Sequence, residues 1–277
     1  MSQESPDSRL ESRESDEGDR SDPLDTPIPK RCLSFTVSGP WAHFRRVEGN
    51  IVKQTYRIMP RTTIAGLVAA IMGLGRDRYY DLFCPTASAV AIEPVTELRT
   101  INMPQNTLST ADEHINRVPS HGRTLKIGLP DPTKLRQQHN YEVLVDPAYR
   151  VDLWIEDDDR YEELRTRLEC GESHYVPSLG LSEHLARIEY HGEFDVERGS
   201  SDEVVEVDSA IPEEVNSIVA EPGTKYGIER SPAFMQASDS GRTTTRFTAY
   251  AYNPSGNALS VRDVEPSRVD DRTVMFV

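Results

Sequence analysis

The segment covering residues 62–74 constrains the fold most, because its apolar residues recur at helical spacing. Five of them fall at i, i+3, i+4, i+7 and i+8, namely Ile64, Leu67, Val68, Ile71 and Met72. Pro60 precedes the segment, Thr62 or Thr63 can cap it, and Gly73 and Gly75 close it. Small residues between the apolar ones thin the helix, so we expect it to lie close against a sheet.

Runs of alternating apolar residues predict the strands of that sheet. They cover residues 31–39, 88–98 and 185–196, together with 141–156, which we interpret as one strand interrupted by an Asp-Pro turn. A second helix starts at the aspartates of residues 157–159 and runs to Cys170, which precedes Gly171. The order strand, helix, strand, strand, helix, strand predicts an α+β, ferredoxin-like (RRM-like) domain, a fold that RNA-recognition modules also use.

The acidic composition favours adaptation to concentrated salt. The chain has 46 Asp+Glu against 31 Lys+Arg, only five lysines and a net charge of −15. A carboxylate-rich surface stays hydrated in molar salt, where a Debye length of about 3 Å screens its self-repulsion. The alternative is an acidic nucleic-acid mimic or a partner for basic proteins. Three cysteines without ligand spacing, and no apolar run in residues 1–29, predict a cytoplasmic protein without cofactor or membrane contact.

The charge is unevenly distributed along the chain. Residues 1–29 carry a net charge of −6, residues 30–150 carry +6 and residues 151–277 carry −15. Because salt adaptation favours acidic surfaces everywhere, the retained arginines indicate an anionic partner such as nucleic acid. We therefore predict a disordered acidic tail over residues 1–29, an RNA-binding domain over 30–198 and an acidic C-terminal extension over 199–277, packed on that domain.

A loop rich in arginines and aromatic rings follows the first strand and is the strongest candidate for RNA binding. Single-stranded bases stack on rings, and guanidinium groups bind phosphates through two hydrogen bonds. The alternative is that Trp41 and Phe44 anchor the loop while the arginines pair with the protein's own acids. The candidate residues are Trp41, His43, Phe44, Arg45, Arg46, Lys53, Tyr56 and Arg57.

Two further groups of residues are candidates for phosphate contacts. The first group is Arg61, Thr62 and Thr63 at the start of the first helix. Free N–H groups and the helix dipole favour a phosphate there. The alternative is that these residues only cap the helix. Residues 99–140 are irregular, polar and too long for a passive connection. Their basic group is either an arm along a nucleic-acid backbone or a solvated loop, and it comprises Arg117, His121, Arg123 and Lys126.

Catalysis is the alternative to binding. A metal-independent endoribonuclease can use a Tyr, a Lys and a His at a ribose 2′-OH, and Tyr56, Lys126 and His121 are available for those roles. No spacing requires this set, and no metal-ligand or phosphate-loop motif occurs. The Ser182-Glu183-His184 run is interpreted as a helix start. We therefore predict no catalytic and no metal-binding residues.

Residues 33–74 resemble the N-terminal signature of the Cas-five family of CRISPR-associated proteins. The matching elements are a strand ending in SGP, then AHFR, TYxIxPRTT and GLxAAIxGL. The resemblance continues in RDRYYDLF (residues 76–83), QNTLST (105–110), YEVLVDPAYRVDLWI (141–155) and YVPSLGLSEHLA (175–186). It covers about residues 31–190 in the right order and is most similar to the type I-B branch.

The resemblance implies a protein of the RAMP superfamily, with a ferredoxin-like palm and a protruding β-hairpin thumb at about residues 99–140. Such proteins cap the Cascade effector of antiviral defence by binding the 5′ handle of CRISPR RNA, beside the Cas-seven backbone subunit and the large subunit, with target DNA an indirect partner. By position, residues 39–46 and 56–63 would line the palm and residues 105–126 the thumb, which adds Gly39 and Gln105 to the RNA-binding candidates.

The resemblance also bears on catalysis. One branch of the family cleaves precursor RNA with Tyr, Lys and His, but the matching region here contains no Lys-His pair. In type I-B systems a separate Cas-six enzyme does the processing. We therefore expect a non-catalytic subunit; a subunit that only bridges proteins is a third possibility.

Overall fold

The structure, a computed structural model, describes residues 26–46, 52–108, 116–118, 126–128, 136–199, 203–213, 215–238 and 241–277. Residues 1–25 of the predicted tail lie outside this part of the chain. The described part is mostly β-sheet with two α-helices, α1 (Arg61–Met72) and α2 (Asp158–Cys170). Its strands are β1 (Arg31–Ser38), β2 (Trp41–Ala42), β3 (Val52–Lys53), β4 (Ser88–Pro94), β5 (Arg99–Leu108), β6 (Asn116–Val118), β7 (Lys126–Gly128), β8 (Arg136–Val145), β9 (Ala148–Ile155), β10 (Arg187–Arg198), β11 (Val205–Val207), β12 (Ile211–Pro212), β13 (Gly227–Ser238), β14 (Gly241–Tyr252), β15 (Leu259–Val261), β16 (Ser267–Val269) and β17 (Arg272–Val274).

The largest sheet has six antiparallel strands in the order β17-β16-β10-β1-β9-β4. Along the chain, α1 lies between β1 and β4, and α2 lies between β9 and β10. Leu33, Phe35 and Val37 of β1 are buried in the main core together with the apolar residues of both helices. The strands predicted at residues 31–39, 88–98 and 185–196 are confirmed as β1, β4 and β10.

The first predicted helix is confirmed, although α1 begins one residue earlier and ends two residues earlier than expected. All five residues of its apolar stripe are buried, and Gly73 ends the helix in the left-handed region with φ 74°. The predicted capping by Thr62 or Thr63 is wrong. The N-cap residue is Pro60, and its carbonyl accepts the N–H groups of Thr63 and Ile64.

The second helix is also confirmed. Asp157 caps α2 by accepting the backbone N–H of Arg160 at 3.0 Å. Tyr161, Leu164 and Leu168 are buried against the sheet at the spacing i, i+3, i+7. Residues 182–184, interpreted from the sequence as a helix start, form a turn instead.

The side of the large sheet opposite the main core holds a buried ionic cluster. Asp152 of β9 is fully buried and accepts hydrogen bonds from the Ser34 hydroxyl at 2.5 Å and from Arg272 at 2.7 and 2.9 Å. Arg272, on β17, also pairs with Glu93 at 3.0 Å. Next to the cluster, Cys32 packs with apolar residues of β16 and β17. The last strands of the chain therefore complete the burial of this side.

Residues 99–140 include two strands of a second sheet, so their interpretation as irregular was wrong. β5 and β8 form an antiparallel hairpin whose pairs run from Arg99↔Val145 to Leu108↔Arg136. β8 also pairs with β2 and, in parallel, with β3. The expected single strand over residues 141–156 is likewise wrong. Asp146, with φ 47°, lies in a turn that separates β8 of this sheet from β9 of the large sheet.

Residues beyond 199 form the short β11–β15 pair, a three-stranded sheet in the order β12-β14-β13, and the β16–β17 addition to the large sheet. Glu229 of β13 is buried, and its carboxylate accepts the backbone N–H groups of Arg57 at 3.0 Å and Ile58 at 2.6 Å. This contact joins β13 to the segment that precedes α1. Neither α1 nor α2 has the length and apolar content that crossing a bilayer needs, which holds for the part of the chain that the structure describes.

Candidate nucleic-acid interface

The second sheet presents one face on which four of the sequence-predicted residues meet: Trp41, His43, Lys53 and Gln105. Residues paired across neighbouring strands point to the same side of a sheet. The pairs Trp41↔Val145, Lys53↔Tyr141, Met103↔Tyr141 and Gln105↔His139, with the contact between the His43 and Tyr141 rings, define this side. We call it the hairpin face; it comprises Trp41, His43, Lys53, Arg99, Ile101, Met103, Gln105, His139, Tyr141, Val143 and Val145.

The hairpin face is basic and aromatic in a chain that is otherwise strongly acidic. None of the described residues that share this face carries a carboxylate, while Arg99 is exposed and Lys53 is partly exposed. Arg45 follows Trp41 and His43 along the chain and is exposed as well. Its charge is close enough to contribute to lowering the pKa of His43. Cations beside flat rings are what a single-stranded nucleic acid needs for its phosphates and bases.

His43 has a supporting position in this face rather than an exposed one. Its ring is buried, Nδ1 lies 2.8 Å from the carbonyl oxygen of Glu142, and the ring meets Tyr141 edge-on with centroids 5.1 Å apart. Burial, together with the positive charge of Arg45, lowers its pKa, so the imidazole is neutral at pH 7. A direct contact of His43 with phosphate is therefore not what this geometry provides.

Arg57 forms an ion pair with an acidic side chain of the protein itself, Glu142. Its guanidinium donates to Glu142 at 2.7 Å and to the carbonyl of Thr55 at 3.0 Å. Burial acts to raise the pKa of Glu142, but hydrogen bonds from Arg57 and from the Thr55 N–H outweigh it, and the pKa lies below the usual 4.5. For Arg57 the alternative considered from the sequence, pairing with the protein's own acids, is the arrangement found.

Three predicted contact residues are buried in the main core. Phe44 packs edge-on against Tyr149 with ring centroids 6.0 Å apart, and Tyr56 is only 4% exposed. Arg61 is fully buried and donates to the Ser88 carbonyl at 3.0 Å, to the Ser88 hydroxyl at 2.6 Å and to the Val277 carbonyl. Desolvation lowers the pKa of Arg61 to about 10, which keeps it protonated at pH 7. The prediction that these side chains contact RNA is corrected, because none is accessible.

The start of α1 is likewise not an open phosphate site. Thr62 and Thr63 are partly exposed, but β13 lies over this end of the helix, and the Thr62 hydroxyl is 3.5 Å from the Pro232 carbonyl. The N–H of Thr63 is satisfied by Pro60. A phosphate would have to displace these contacts.

The remaining candidates have varied positions. Arg46 is partly buried, with its guanidinium 5.4 Å from the centroid of the Tyr56 ring. Gly39 lies beneath Leu185, where an added Cβ would come within 2.7 Å of the Leu185 carbonyl oxygen, so its role is close packing. Arg117 and Lys126 lie in the β6–β7 pair, of which only the backbone is described. The predictions for His121 and Arg123 lie outside the described residues.

Seven residues of the hairpin face were not among the predicted contacts, and three of them have charged, polar or aromatic side chains suited to RNA: Arg99, His139 and Tyr141. Residues 141–146 were recognised as a strand, but nothing local indicates that this strand pairs with β3 and β5 and so brings Tyr141 beside Lys53. The signal that was available is the polar His139 two positions before Tyr141, on the same side of one strand. Within the described ranges no three metal-binding side chains converge.

The fold and the site define a class: a mostly antiparallel β protein with a basic and aromatic sheet face, suited to a polyanion, on which none of the described members carries a carboxylate. A protein-family model described as CRISPR-associated protein (Cas_Cas5) matches residues 32–248. Because this match covers most of the chain, the protein belongs to the Cas5 family of CRISPR-associated proteins.

Two solved structures are similar to this chain. A crystal structure of a CRISPR protein from Archaeoglobus fulgidus is similar over 88% of this chain and 98% of that one, with a TM-score of 0.50 and 13% identity. A chain of a CRISPR RNA-guided surveillance complex is similar over 84% of this chain and 91% of that one, with a TM-score of 0.47 and 12% identity. No curated protein sequence matches significantly.

Proposed function

We propose that this chain is a non-catalytic subunit of a type I-B-like Cascade that binds the 5′ handle of CRISPR RNA and caps the effector complex. The observation that carries the proposal is the hairpin face, whose described residues include cations and no carboxylate in a chain with net charge −15. Membership of the Cas5 family supports CRISPR RNA as the polyanion, because a CRISPR effector is built on a guide RNA.

The topology supports the proposal. The strand order β10-β1-β9-β4, with α1 after β1 and α2 after β9, is the order of a ferredoxin-like palm. In this proposal the β5–β8 hairpin is the thumb. Since the hairpin face includes both the loop after β1 and the base of this thumb, an RNA strand bound there would cross from palm to thumb.

The roles of individual residues follow from their exposure. Arg99 of the hairpin face and Arg45, which follows His43 in the chain, are both exposed. Lys53 adds a third positive charge beside Tyr141. Guanidinium groups bind phosphates through two hydrogen bonds, which matters most in molar salt, where counterion release contributes little to affinity. The Cas-seven backbone subunit and the large subunit would contact the surfaces around this face, and a Cas-six enzyme would deliver the processed RNA.

The test is binding of an RNA that carries the repeat-derived 5′ end of the host's CRISPR RNA. The double variant Arg45→Ala/Arg99→Ala is compared with Arg198→Ala, which removes an exposed arginine from β10, outside the hairpin face. We expect at least ten-fold weaker binding for the double variant, since two charge-assisted contacts are lost, and unchanged binding for the control.

Incubation with precursor RNA decides the question of catalysis. We expect the RNA to stay intact, because the proposed role is binding alone. Equal loss of affinity in the double variant and the control would contradict the proposed interface, and specific cleavage of the repeat would contradict the non-catalytic assignment.

A further inference from the structure

Tyr141 lies at the centre of the hairpin face. It pairs with Lys53 on one side and Met103 on the other, and its side chain is partly exposed. Two imidazoles flank the phenol ring: His43 at 5.1 Å and 71°, and His139 at 6.3 Å and 90°. Both imidazoles meet the phenol in T-shaped geometry, so neither is stacked parallel to it, and a base would approach the ring from its partly exposed side.

Groups that can hydrogen-bond the edge of a base surround this ring. Gln105 is paired directly with His139, whose Nε2 lies 3.2 Å from the amide oxygen of Gln137 on the exposed surface. The Gln105 amide nitrogen contacts only the sulfur of Met103, at 3.9 Å, among the contacts that the structure shows. Thioether sulfur is a weak acceptor, so a base oxygen or nitrogen would replace it with a gain in hydrogen bonding.

We propose that the hairpin face holds a site for one unpaired nucleobase, which stacks on Tyr141 while Gln105 and His139 hydrogen-bond its edge. Lys53, beside Tyr141, supplies a cation for the adjoining phosphate. A nucleobase suits this site better than an apolar protein side chain, because the ring's neighbours other than Met103 are the Gln105 amide, two imidazoles and the Lys53 cation. This inference rests on the proposed function and adds to it the means by which the RNA is read at one position.

The experiment combines variants of Tyr141 with an abasic scan of the RNA. The full chain is titrated with the fluorescently labelled repeat-derived 5′ RNA, and with a series in which each nucleotide in turn lacks its base. Tyr141→Phe keeps the ring, and Tyr141→Leu keeps an apolar side chain without a flat face. Tyr175→Leu is the matched control, because Tyr175 is 53% exposed and lies beside the end of α1.

The expected result is a coupling between one nucleotide and one side chain. Tyr141→Leu weakens binding of the intact RNA roughly ten-fold, the size of a lost base–aromatic stack, whereas Tyr141→Phe and Tyr175→Leu bind like the wild type. Removing one particular base weakens wild-type binding by a similar factor, but it weakens the Tyr141→Leu variant no further.

Several outcomes would overturn the inference, and they differ from failure of the proposed function. If the wild type binds the RNA and Arg45→Ala/Arg99→Ala weakens it while Tyr141→Leu does not, only the nucleobase site fails. If the wild type shows no RNA binding, both proposals fail. Should Tyr141→Leu not fold, the wild type and Tyr141→Phe still decide, because the absence of any sensitive abasic position refutes the site.

Discussion

Replacing Arg61 separates a structural arginine from the arginines assigned to RNA. Arg61 is fully buried, its guanidinium bonds the Ser88 carbonyl, the Ser88 hydroxyl and the Val277 carbonyl, and it lies 4.6 Å from the centroid of the Phe234 ring. In Arg61→Ala these three buried acceptors lose a charged donor. At a net contribution of about 1 kcal/mol each, the free energy of unfolding falls by about 3 kcal/mol.

This loss converts to a measurable change in melting temperature. At about 2.1 cal/mol/K of unfolding entropy per residue, 277 residues give about 0.6 kcal/mol/K, so the midpoint falls by about 5 °C. The assay is thermal unfolding followed by circular dichroism, with RNA titration of the folded variant below its midpoint. Arg61→Met is the matched variant, because it keeps most of the apolar volume and separates lost hydrogen bonds from lost packing.

Arg45→Ala should show the opposite behaviour, with an unchanged midpoint and weaker RNA binding, since Arg45 is exposed. A midpoint of Arg61→Ala equal to that of the wild type would refute the structural role of Arg61. Weaker RNA binding by such a normally melting variant would show further that Arg61 contacts the RNA, from a position that the structure does not give it.

Three further predictions concern how the site is supported. Because the pKa of Glu142 is lowered, the Arg57–Glu142 pair should stabilise the fold by about 1–2 kcal/mol above pH 4.5. This stabilisation should be lost as the pH falls through the lowered pKa. A double-mutant cycle with Arg57→Ala and Glu142→Gln, measured by urea unfolding across pH, checks the sign. Glu229→Gln should lower the free energy of unfolding by about 1–3 kcal/mol. The two carboxylate oxygens of Glu229 each accept a backbone N–H group, whereas an amide has only one oxygen that can accept. Unchanged stability of this variant in urea would contradict the prediction. Gly180→Ala should lower the melting temperature, because Gly180 has φ 93° and an added Cβ would overlap the carbonyl of His43. Gly223→Ala should lower the melting temperature less, because the space around its added Cβ is open.

Local periodicity allowed part of the fold to be predicted from the sequence. The buried stripe of α1 and the alternation of β1 depend on side chains that face one core, and such faces leave a period in the sequence. The Asp157 cap of α2 was equally visible, because capping acts within one helical turn.

The hairpin was not predictable in this way, because both of its faces are largely polar at the tip. Asn106 and Gln138 alternate with other polar residues, so the tip half of the β5–β8 hairpin shows no apolar period, and only the alternation of β8 from Tyr141 onwards indicated a strand. The general location of the candidate site followed from the placement of charge along the chain. Which residues line it did not follow, because Arg61 and Arg45 look alike in the sequence. Only long-range packing buries Arg61 and leaves Arg45 exposed.

The cluster of Ser34, Asp152 and Arg272 has a consequence for how the chain can be divided. Ser34 and Arg272 are 238 positions apart, yet both hydrogen-bond Asp152, which is fully buried. A fragment ending at residue 198 would leave that carboxylate without its arginine, a loss that typically costs about 3–5 kcal/mol. During synthesis, the large sheet therefore reaches its final stability only after β17 has emerged from the ribosome.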